Sequence, residues 1–178
     1  MPMREMIFLF SFFALIHCSK ESKDVASEFA LTEEDKAAAL QVHNNARTDV
    51  GVPPLTWSEA LANYAAAWAK NMASREQMYH SQNNSREGQG ENLYMTTATD
   101  REHSGRNASQ AWYEEIQLYT YAPINSGAND FAAIGHYTQM VWKNTTEVGM
   151  ALAVSESGAT YVVARYSPPG NFIGERPY

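Results

Sequence analysis

One stretch of the chain decides the fold: Gly135-His136-Tyr137-Thr138-Gln139-Met140-Val141-Trp142-Lys143-Asn144-Thr145. It places a histidine, a hydroxyl and an amide within four residues and follows them with two aliphatic side chains and a tryptophan. A glycine in front allows a sharp backbone turn, and polar groups on a loop that is anchored in a core commonly form binding sites. We therefore predict that His136 lies on an anchored loop at a binding site. The alternative is a core helix that carries one hydrogen-bonded histidine.

The composition indicates one folded domain that does not bind nucleic acid. The 178 residues are 44% hydrophobic and 12% aromatic, which is enough to fill a core and argues against disorder. The formal net charge is −7, so the overall field repels nucleic acid and anionic membranes, and the sequence contains no basic patch. We accordingly expect no nucleic-acid partner, and contact with a membrane only through an N-terminal lipid anchor.

The N-terminus has the pattern of an export signal. Residues 6–16 form an apolar run of eleven, which suits a signal peptide and is too short to span a bilayer. The predicted signal peptide covers residues 1–18 and ends at Cys18. A leucine three residues before Cys18 resembles a bacterial lipobox, although His17 replaces the small residue of that motif. Two interpretations stay open, acylation at Cys18 and ordinary cleavage without a lipid, and both place the protein outside the cell or in the cell envelope.

The remaining chain divides into a tether and one domain. Residues 19–31 are largely polar, as expected of a tether, and residues 32–178 form the predicted domain. Cys18 is the only cysteine, so this domain contains no disulfide and must be held together by packing.

Three helices are predicted from capping residues and apolar periodicity. The first runs from Thr32 to about Arg47, with acidic residues in its first turn. Ser58 caps the second helix. The third covers residues 108–119 and places Glu115 on an otherwise apolar face, where a buried acid requires a partner. The apolar stripe of the second helix follows helical spacing and is assigned to the core: Leu61, Tyr64, Ala65, Trp68 and Met72.

A hairpin is predicted at the end of the chain. Residues 148–154 and 161–166 are rich in valine and tyrosine, and Ser155-Glu156-Ser157-Gly158 supplies the turn between them. Residues 81–90 and 96–107 are polar and are predicted to be loops. Helices followed by a hairpin indicate a layered domain of helices and strands.

Two histidines and two glutamates are candidates for a metal site. His80 and His136 each lie at the edge of an ordered segment, Glu91 follows a glycine, and Glu115 is the acid on the third helix. Neutral imidazoles together with carboxylates suit zinc or another borderline divalent cation. Nothing in these residues alone joins them into one site. Of the other histidines, His43 is assigned to helix packing or hydrogen bonding and His103 to a solvated loop.

Several motifs resemble the CAP superfamily of cysteine-rich secretory, antigen 5 and plant pathogenesis-related proteins. The opening string is similar to the first signature of this family, and Trp112-Tyr113-Glu114-Glu115 is similar to its W-x-x-E motif. His80 and Gly90-Glu91-Asn92 correspond to its histidine and its GEN motif. Residues 161–172 resemble the second signature, with Ala164 in place of the usual cysteine. The resemblance covers residues 32–171 and is greatest to the Golgi-associated plant-pathogenesis-related group.

The resemblance implies an SCP domain of the α+β class, an α-β-α sandwich with a small antiparallel sheet between helices. In this family two histidines and two acids line a central cleft, and some members hold zinc or another divalent ion there. The implied metal residues in this chain are His80, His136, Glu91 and Glu115. The residues implied to orient these ligands are Asn92, Tyr137 and Gln139.

Three functions are compatible with these features. The first is a binding module that captures a lipid or protein partner in a metal-containing cleft. The second is a hydrolase that uses a metal-bound water, or Ser81 or Thr138 as a nucleophile. The sequence contains no H-E-x-x-H or G-x-S-x-G motif, so we favour binding over catalysis and assign no catalytic residue. The third is a structural network of the four residues, with an interaction surface elsewhere.

Overall fold

The computed structural model describes residues 29–82, 86 and 88–178. The predicted signal peptide, Cys18 and most of the tether lie outside these residues. Within them, no helix combines the length and the apolar character needed to cross a membrane.

The packed domain includes residues 29–31, which the sequence assigned to the tether. Ala30 forms an antiparallel bridge with Ala151, and the Leu152 amide donates to the Phe29 carbonyl at 3.0 Å. Leu31 is buried in the core. The last residues of the predicted tether therefore belong to the domain.

The described residues form helices and strands in a mixed order along the chain. Their bounds are α1 (Glu33–Asp49), β1 (Thr56–Trp57), α2 (Glu59–Arg75), β2 (Gly90–Thr96), α3 (Ser104–Glu114), a 3-10 helix (Glu115–Leu118), α4 (Phe131–Met140), β3 (Glu147–Val154) and β4 (Thr160–Ser167).

The strands form one four-stranded sheet in the order β1-β3-β4-β2. The predicted hairpin is confirmed as β3 and β4, which pair antiparallel, and β2 adds antiparallel to β4. The two residues of β1 pair parallel to β3, so the sheet is mixed. The sequence did not predict β2, because its first residues include the polar, buried Glu91 and Asn92 and do not alternate as a half-buried strand does.

Helices cover both faces of the sheet. On one face α2 packs against β3 and β4, and a core forms around Ala69, Met72 and Val163. On the other face a second core joins α1, α3 and α4 to the sheet around Trp112, Met140 and Val162. The predicted α-β-α sandwich is confirmed.

A glycine in β3 allows α2 to lie close to the sheet. A Cβ atom built on Gly149 would lie 2.2 Å from the amide nitrogen of Ala62 and 2.4 Å from the carbonyl oxygen of Ser58. Backbone atoms cannot move aside as a side chain can, so this contact requires glycine. The predicted stripe of α2 faces the sheet except at Tyr64, which is 41% exposed.

The first and third helices differ in how they are capped. In α1 the prediction is confirmed, since the Thr32 hydroxyl accepts from the Asp35 amide at 3.1 Å. The third helix begins at Ser104, earlier than predicted, and its α-helical part ends at Glu114. Asp35 of α1 accepts from the amides of Gly105 and Arg106 at 2.7 and 2.8 Å. Because this cap comes from another helix, the local sequence could not show where α3 begins.

Residues 135–140 of the decisive stretch are helical, so the prediction that His136 lies on a loop is wrong and the core-helix alternative describes the backbone there. Asp130 caps α4 by accepting from the Ala132 amide at 3.1 Å. Gly135 lies within this helix and makes no turn. A Cβ there would lie 3.2 Å from the ring of Phe131, so the glycine leaves room for a neighbouring side chain.

A buried arginine of α1 anchors the C-terminal end of α4. The Arg47 guanidinium is fully buried and donates to the carbonyls of Met140 at 3.0 Å, Trp142 at 2.9 Å and Thr145 at 2.8 Å. It also donates to the Pro53 carbonyl. A cation at a helix C-terminus interacts favourably with the free carbonyls and with the helix dipole.

Candidate functional site

A cleft of about 650 Å³ opens where the start of β2 meets α4. His80 and His136 both line it. Its walls come from residue 86, from residues 88–92, from the exposed side of α4 and from residues 169–172. Gly90 leaves room for Gln139 at this junction, because a Cβ atom there would lie 2.2 Å from the side-chain oxygen of Gln139 and would displace it.

His80 is held by a buried glutamate of β2. Its Nδ1 lies 2.7 Å from Oε1 of Glu91, whose side chain has no exposed surface, whereas the His80 side chain is 54% exposed. Glu91 also accepts from the Ser81 amide at 3.0 Å and from the Ser81 hydroxyl at 2.7 Å. Arg165 completes the set, with Nη2 2.9 Å from Oε2 of Glu91.

The environment of Glu91 favours its charged form. Burial acts to raise its pKa, but the hydrogen bonds from His80 and Ser81 and the charge of Arg165 outweigh burial, so the pKa lies below its ordinary value. Burial also lowers the pKa of Arg165, and the charge of Glu91 opposes that change. The pair is therefore an ion pair that is hydrogen-bonded on both sides, as a buried charge requires.

His136 is held by the second glutamate. Its Nδ1 lies 2.6 Å from Oε1 of Glu115. The other oxygen of Glu115 accepts from the backbone amides of His136 at 2.9 Å and Tyr137 at 3.0 Å. The imidazole also stacks on Trp112, with ring centroids 6.0 Å apart. Glu115 thus has the partner that its position on an apolar face required.

Both histidines contact their carboxylate through the same ring nitrogen, Nδ1. A carboxylate at Nδ1 accepts a ring proton there, and this hydrogen bond leaves Nε2 as the nitrogen that could bind a metal. Neither Nε2 forms a hydrogen bond to another residue within the described ranges. Two such imidazole nitrogens in one cleft fit zinc or a similar divalent ion.

The two glutamates do not join the two histidines in one group of metal ligands. Among residues 29–82, 86 and 88–178, no three histidine, cysteine, aspartate or glutamate side chains form a metal-ligand group. The structure brings His80 to Glu91 and His136 to Glu115, as two separate pairs. In this arrangement each carboxylate is bound to a ring nitrogen and orients that histidine.

The three residues predicted to support the site do so in different ways. The Asn92 amide donates to the His136 carbonyl and to the Tyr166 hydroxyl, both at 3.1 Å. Gln139 accepts from the Gly170 amide at 2.9 Å and so ties the cleft wall to α4. Tyr137 contributes only its backbone amide, since its phenol is buried against Tyr113 and Tyr119.

The two candidate nucleophiles, Ser81 and Thr138, form hydrogen bonds to other groups than a histidine ring. The Ser81 hydroxyl is buried and bonds to Glu91 and Arg165. The Thr138 hydroxyl lies 2.7 Å from Oδ1 of Asn171, its nearest acceptor, and 3.1 and 3.3 Å from the carbonyls of Ile134 and Gly135. Within the described residues neither hydroxyl bonds to a histidine ring, so the geometry does not favour a metal-free hydrolase.

Arg165 was not predicted as a site residue, although the sequence carries a signal for it. Between Tyr161 and Tyr166 it is a charged residue among apolar and aromatic ones, and it is buried. A buried charge requires a partner, which is the same reason that Glu115 stands out in the sequence.

Comparison with known proteins gives a consistent result. The model of the cysteine-rich secretory protein family (CAP) matches residues 40–166. Pathogenesis-related protein 1A of Nicotiana tabacum is 35% identical over 158 residues, which are 86% of this chain and 87% of the tobacco protein. The Golgi-associated plant pathogenesis-related protein 1 of Homo sapiens is 36% identical over 138 residues, 76% of this chain and 84% of the human protein.

Solved structures share the fold. The crystal structure of NaASP2 with Zn2+ superposes with a TM-score of 0.73 at 28% identity, and the alignment covers 84% of this chain and 87% of NaASP2. The structure of BmVAL-1 gives a TM-score of 0.73 at 26% identity over 83% of each chain.

Proposed function

This chain belongs to the cysteine-rich secretory protein (CAP) family, and on that premise we propose that it is an exported binding module whose cleft holds a divalent metal ion through His80 and His136 and captures a lipid or protein partner. One observation carries the proposal: each histidine of the cleft has its Nδ1 bound by a carboxylate, which leaves Nε2 as the metal donor.

The donor set supports zinc or a similar ion. Imidazole nitrogen is a ligand that zinc favours, and a carboxylate on the far side of the ring raises its basicity. NaASP2, which shares the fold at 28% identity, has been crystallised with Zn2+. A bound divalent ion would supply a Lewis-acidic centre with open positions for an oxygen of the partner.

The surroundings of the cleft support capture of a partner with an apolar part. Phe131 and Phe172 line the cleft and remain 45% and 49% exposed. Ile173, next in the chain, is 77% exposed. Apolar side chains beside a few polar groups are typical of ligand sites, and exposed aromatic residues are typical of contact surfaces.

Calorimetric titration with Zn2+ tests the metal site. We expect the full chain to bind zinc and the double variant His80→Ala/His136→Ala to lose binding. His103→Ala is the matched control, because His103 is exposed and pairs with Asp100 outside the cleft. Zinc binding that survives in the double variant, or that is lost equally in the His103 control, would contradict the proposed site.

Native mass spectrometry of the purified protein tests capture of a lipid. We expect lipid adducts on the wild type and fewer adducts on Phe131→Ser/Phe172→Ser. Tyr64→Ser removes a similarly exposed aromatic residue from α2 and serves as the control. If both variants carry the same adducts as the wild type, lipid does not bind at this cleft.

A purely structural role is the second candidate, favoured by the complete hydrogen bonding of Glu91. In that case Glu91→Gln and Glu115→Gln would lower thermal stability while the wild type binds neither zinc nor lipid. A hydrolase would instead show an ester or peptide turnover that both variants abolish.

A further inference from the structure

The two histidine–glutamate pairs of the cleft differ in one respect. Glu115 is held by its histidine and by two backbone amides. Glu91 is held by its histidine, by Ser81 and by a cation, Arg165. The ion pairs formed by the described residues give Glu115 no arginine or lysine partner.

Arg165 reaches Glu91 from the neighbouring strand. The two residues are direct partners in the antiparallel register of β2 and β4, which places their side chains on the same face of the sheet. Nη2 of Arg165 lies 2.9 Å from Oε2 of Glu91 and 3.1 Å from the Ser81 hydroxyl. The Arg165 side chain is 4% exposed and that of Glu91 is fully buried, so this contact is shielded from water.

We propose that Arg165 is a positioning residue that determines which atoms the cleft offers to a metal ion. By holding Oε2 of Glu91 beneath the cleft, it leaves Oε1 to orient His80, so that the cleft presents the Nε2 nitrogen of His80 in place of a carboxylate oxygen. This inference rests on the proposed metal site, and it assigns Arg165 an effect on metal selectivity.

Selectivity follows from the kind of donor atom. Imidazole nitrogens favour borderline ions such as Zn2+, whereas carboxylate oxygens favour harder ions such as Mn2+. Without Arg165 the Glu91 carboxylate has no cation to hold it, and a buried charge without a counter-charge is costly. It would then turn toward the cleft, and that change weakens the nitrogen site relative to an oxygen site.

Nitrogen NMR of the histidine rings tests the positioning step on the metal-free protein. We expect the His80 Nδ1–H of the wild type to be hydrogen-bonded to Oε1 of Glu91, and Arg165→Gln to weaken or lose this hydrogen bond. His136 is the internal control, because no arginine contacts its glutamate. An unchanged His80 ring in folded Arg165→Gln overturns the proposal.

Metal titration tests the selectivity. For Arg165→Gln we expect Zn2+ affinity to fall 10- to 100-fold, the range seen when the partner of a ligand is removed, and the ratio of Zn2+ to Mn2+ affinity to fall at least tenfold. Arg165→Lys, which keeps the charge, should restore the ratio to within about threefold. A ratio within about twofold of the wild type in Arg165→Gln overturns the proposal.

Two further measurements keep the test decisive. If Arg165→Gln does not fold, Ser81→Ala takes its place, because it removes the hydroxyl that both Arg165 and Glu91 contact. We expect this variant to change the His80 ring signals in the same direction as Arg165→Gln. Unchanged signals would overturn the proposal. If the wild type binds no zinc, the proposed function fails, while the ring signals of the metal-free protein still decide whether Arg165 positions His80.

Discussion

Acidification is expected to destabilise the protein through His43, which lies fully buried on α1. Nδ1 of His43 lies 2.9 Å from the Ala39 carbonyl and therefore carries the proton, and Nε2 lies 2.8 Å from the Tyr166 hydroxyl and accepts from it. Tyr166 in turn accepts from Asn92, which also bonds to the His136 carbonyl. A second proton on His43 would oppose the Tyr166 donor and disturb this chain of bonds up to the cleft.

The size of the effect follows from the pKa of His43. Burial, opposed only in part by the bond to Ala39, lowers this pKa from 6.5 to about 4. Between these values the unfolded chain binds a proton that the folded chain does not, so acid favours unfolding. Integrating from pH 7 to pH 4 with these two values gives a loss of about 3 kcal/mol.

Urea unfolding at pH 7, 5.5 and 4 measures this loss. Glu91 adds to the acid sensitivity because its pKa is lowered and its stabilisation is lost as pH falls through that pKa, so a variant must isolate His43. His43→Gln keeps one donor and one acceptor but cannot titrate. We expect it to lose about 3 kcal/mol less than the wild type between pH 7 and pH 4. Equal losses in the two proteins would refute the reasoning.

Three further predictions concern packing and the cleft. Arg47→Met removes the donor of the buried Met140 and Thr145 carbonyls and one of the two donors of the Trp142 carbonyl. We expect it to cost about 3–5 kcal/mol, or roughly 6–20 °C in melting temperature by calorimetry; a drop below 2 °C would contradict the anchoring role. Gly149→Ala forces a Cβ against the backbone of Ala62 at 2.2 Å, so we expect the free energy of unfolding, measured with urea, to fall by several kcal/mol. Gly51→Ala is the control: no atom lies near its Cβ, so it reports only the cost of a positive φ. Glu115→Gln should keep the fold, as judged by circular dichroism, and weaken Zn2+ binding about 10- to 100-fold in calorimetry; full affinity would show that Glu115 does not orient His136.

The sequence predicted the helix starts and strands that are determined by residues close to them in the chain. Thr32 caps its own helix, and valine-rich segments around a Ser-Gly turn form the hairpin. The motif resemblance then supplied the α-β-α arrangement and brought the two histidines into one cleft. The polar trio at positions 136, 138 and 139 suggested a loop, but these residues lie in α4, which begins at Phe131 and is capped by Asp130.

Features that depend on distant residues could not be predicted in this way. The start of α3 is fixed by Asp35 of α1. The role of Glu91 is fixed by Arg165, which lies opposite it on another strand. Sequence spacing indicates which side chains could meet at a site, and the register of the sheet determines that the glutamates stand behind the histidines.

The bridge between Ala30 and Ala151 also bears on the protein's solubility. β1 covers only the first two residues of β3, so the rest of that side of β3 would be an open edge able to pair with a strand of another molecule. Residues 29 and 30 occupy part of this edge. A chain shortened to begin at residue 32 would expose an alanine- and valine-containing edge strand, and such a strand promotes aggregation even when the cleft is intact.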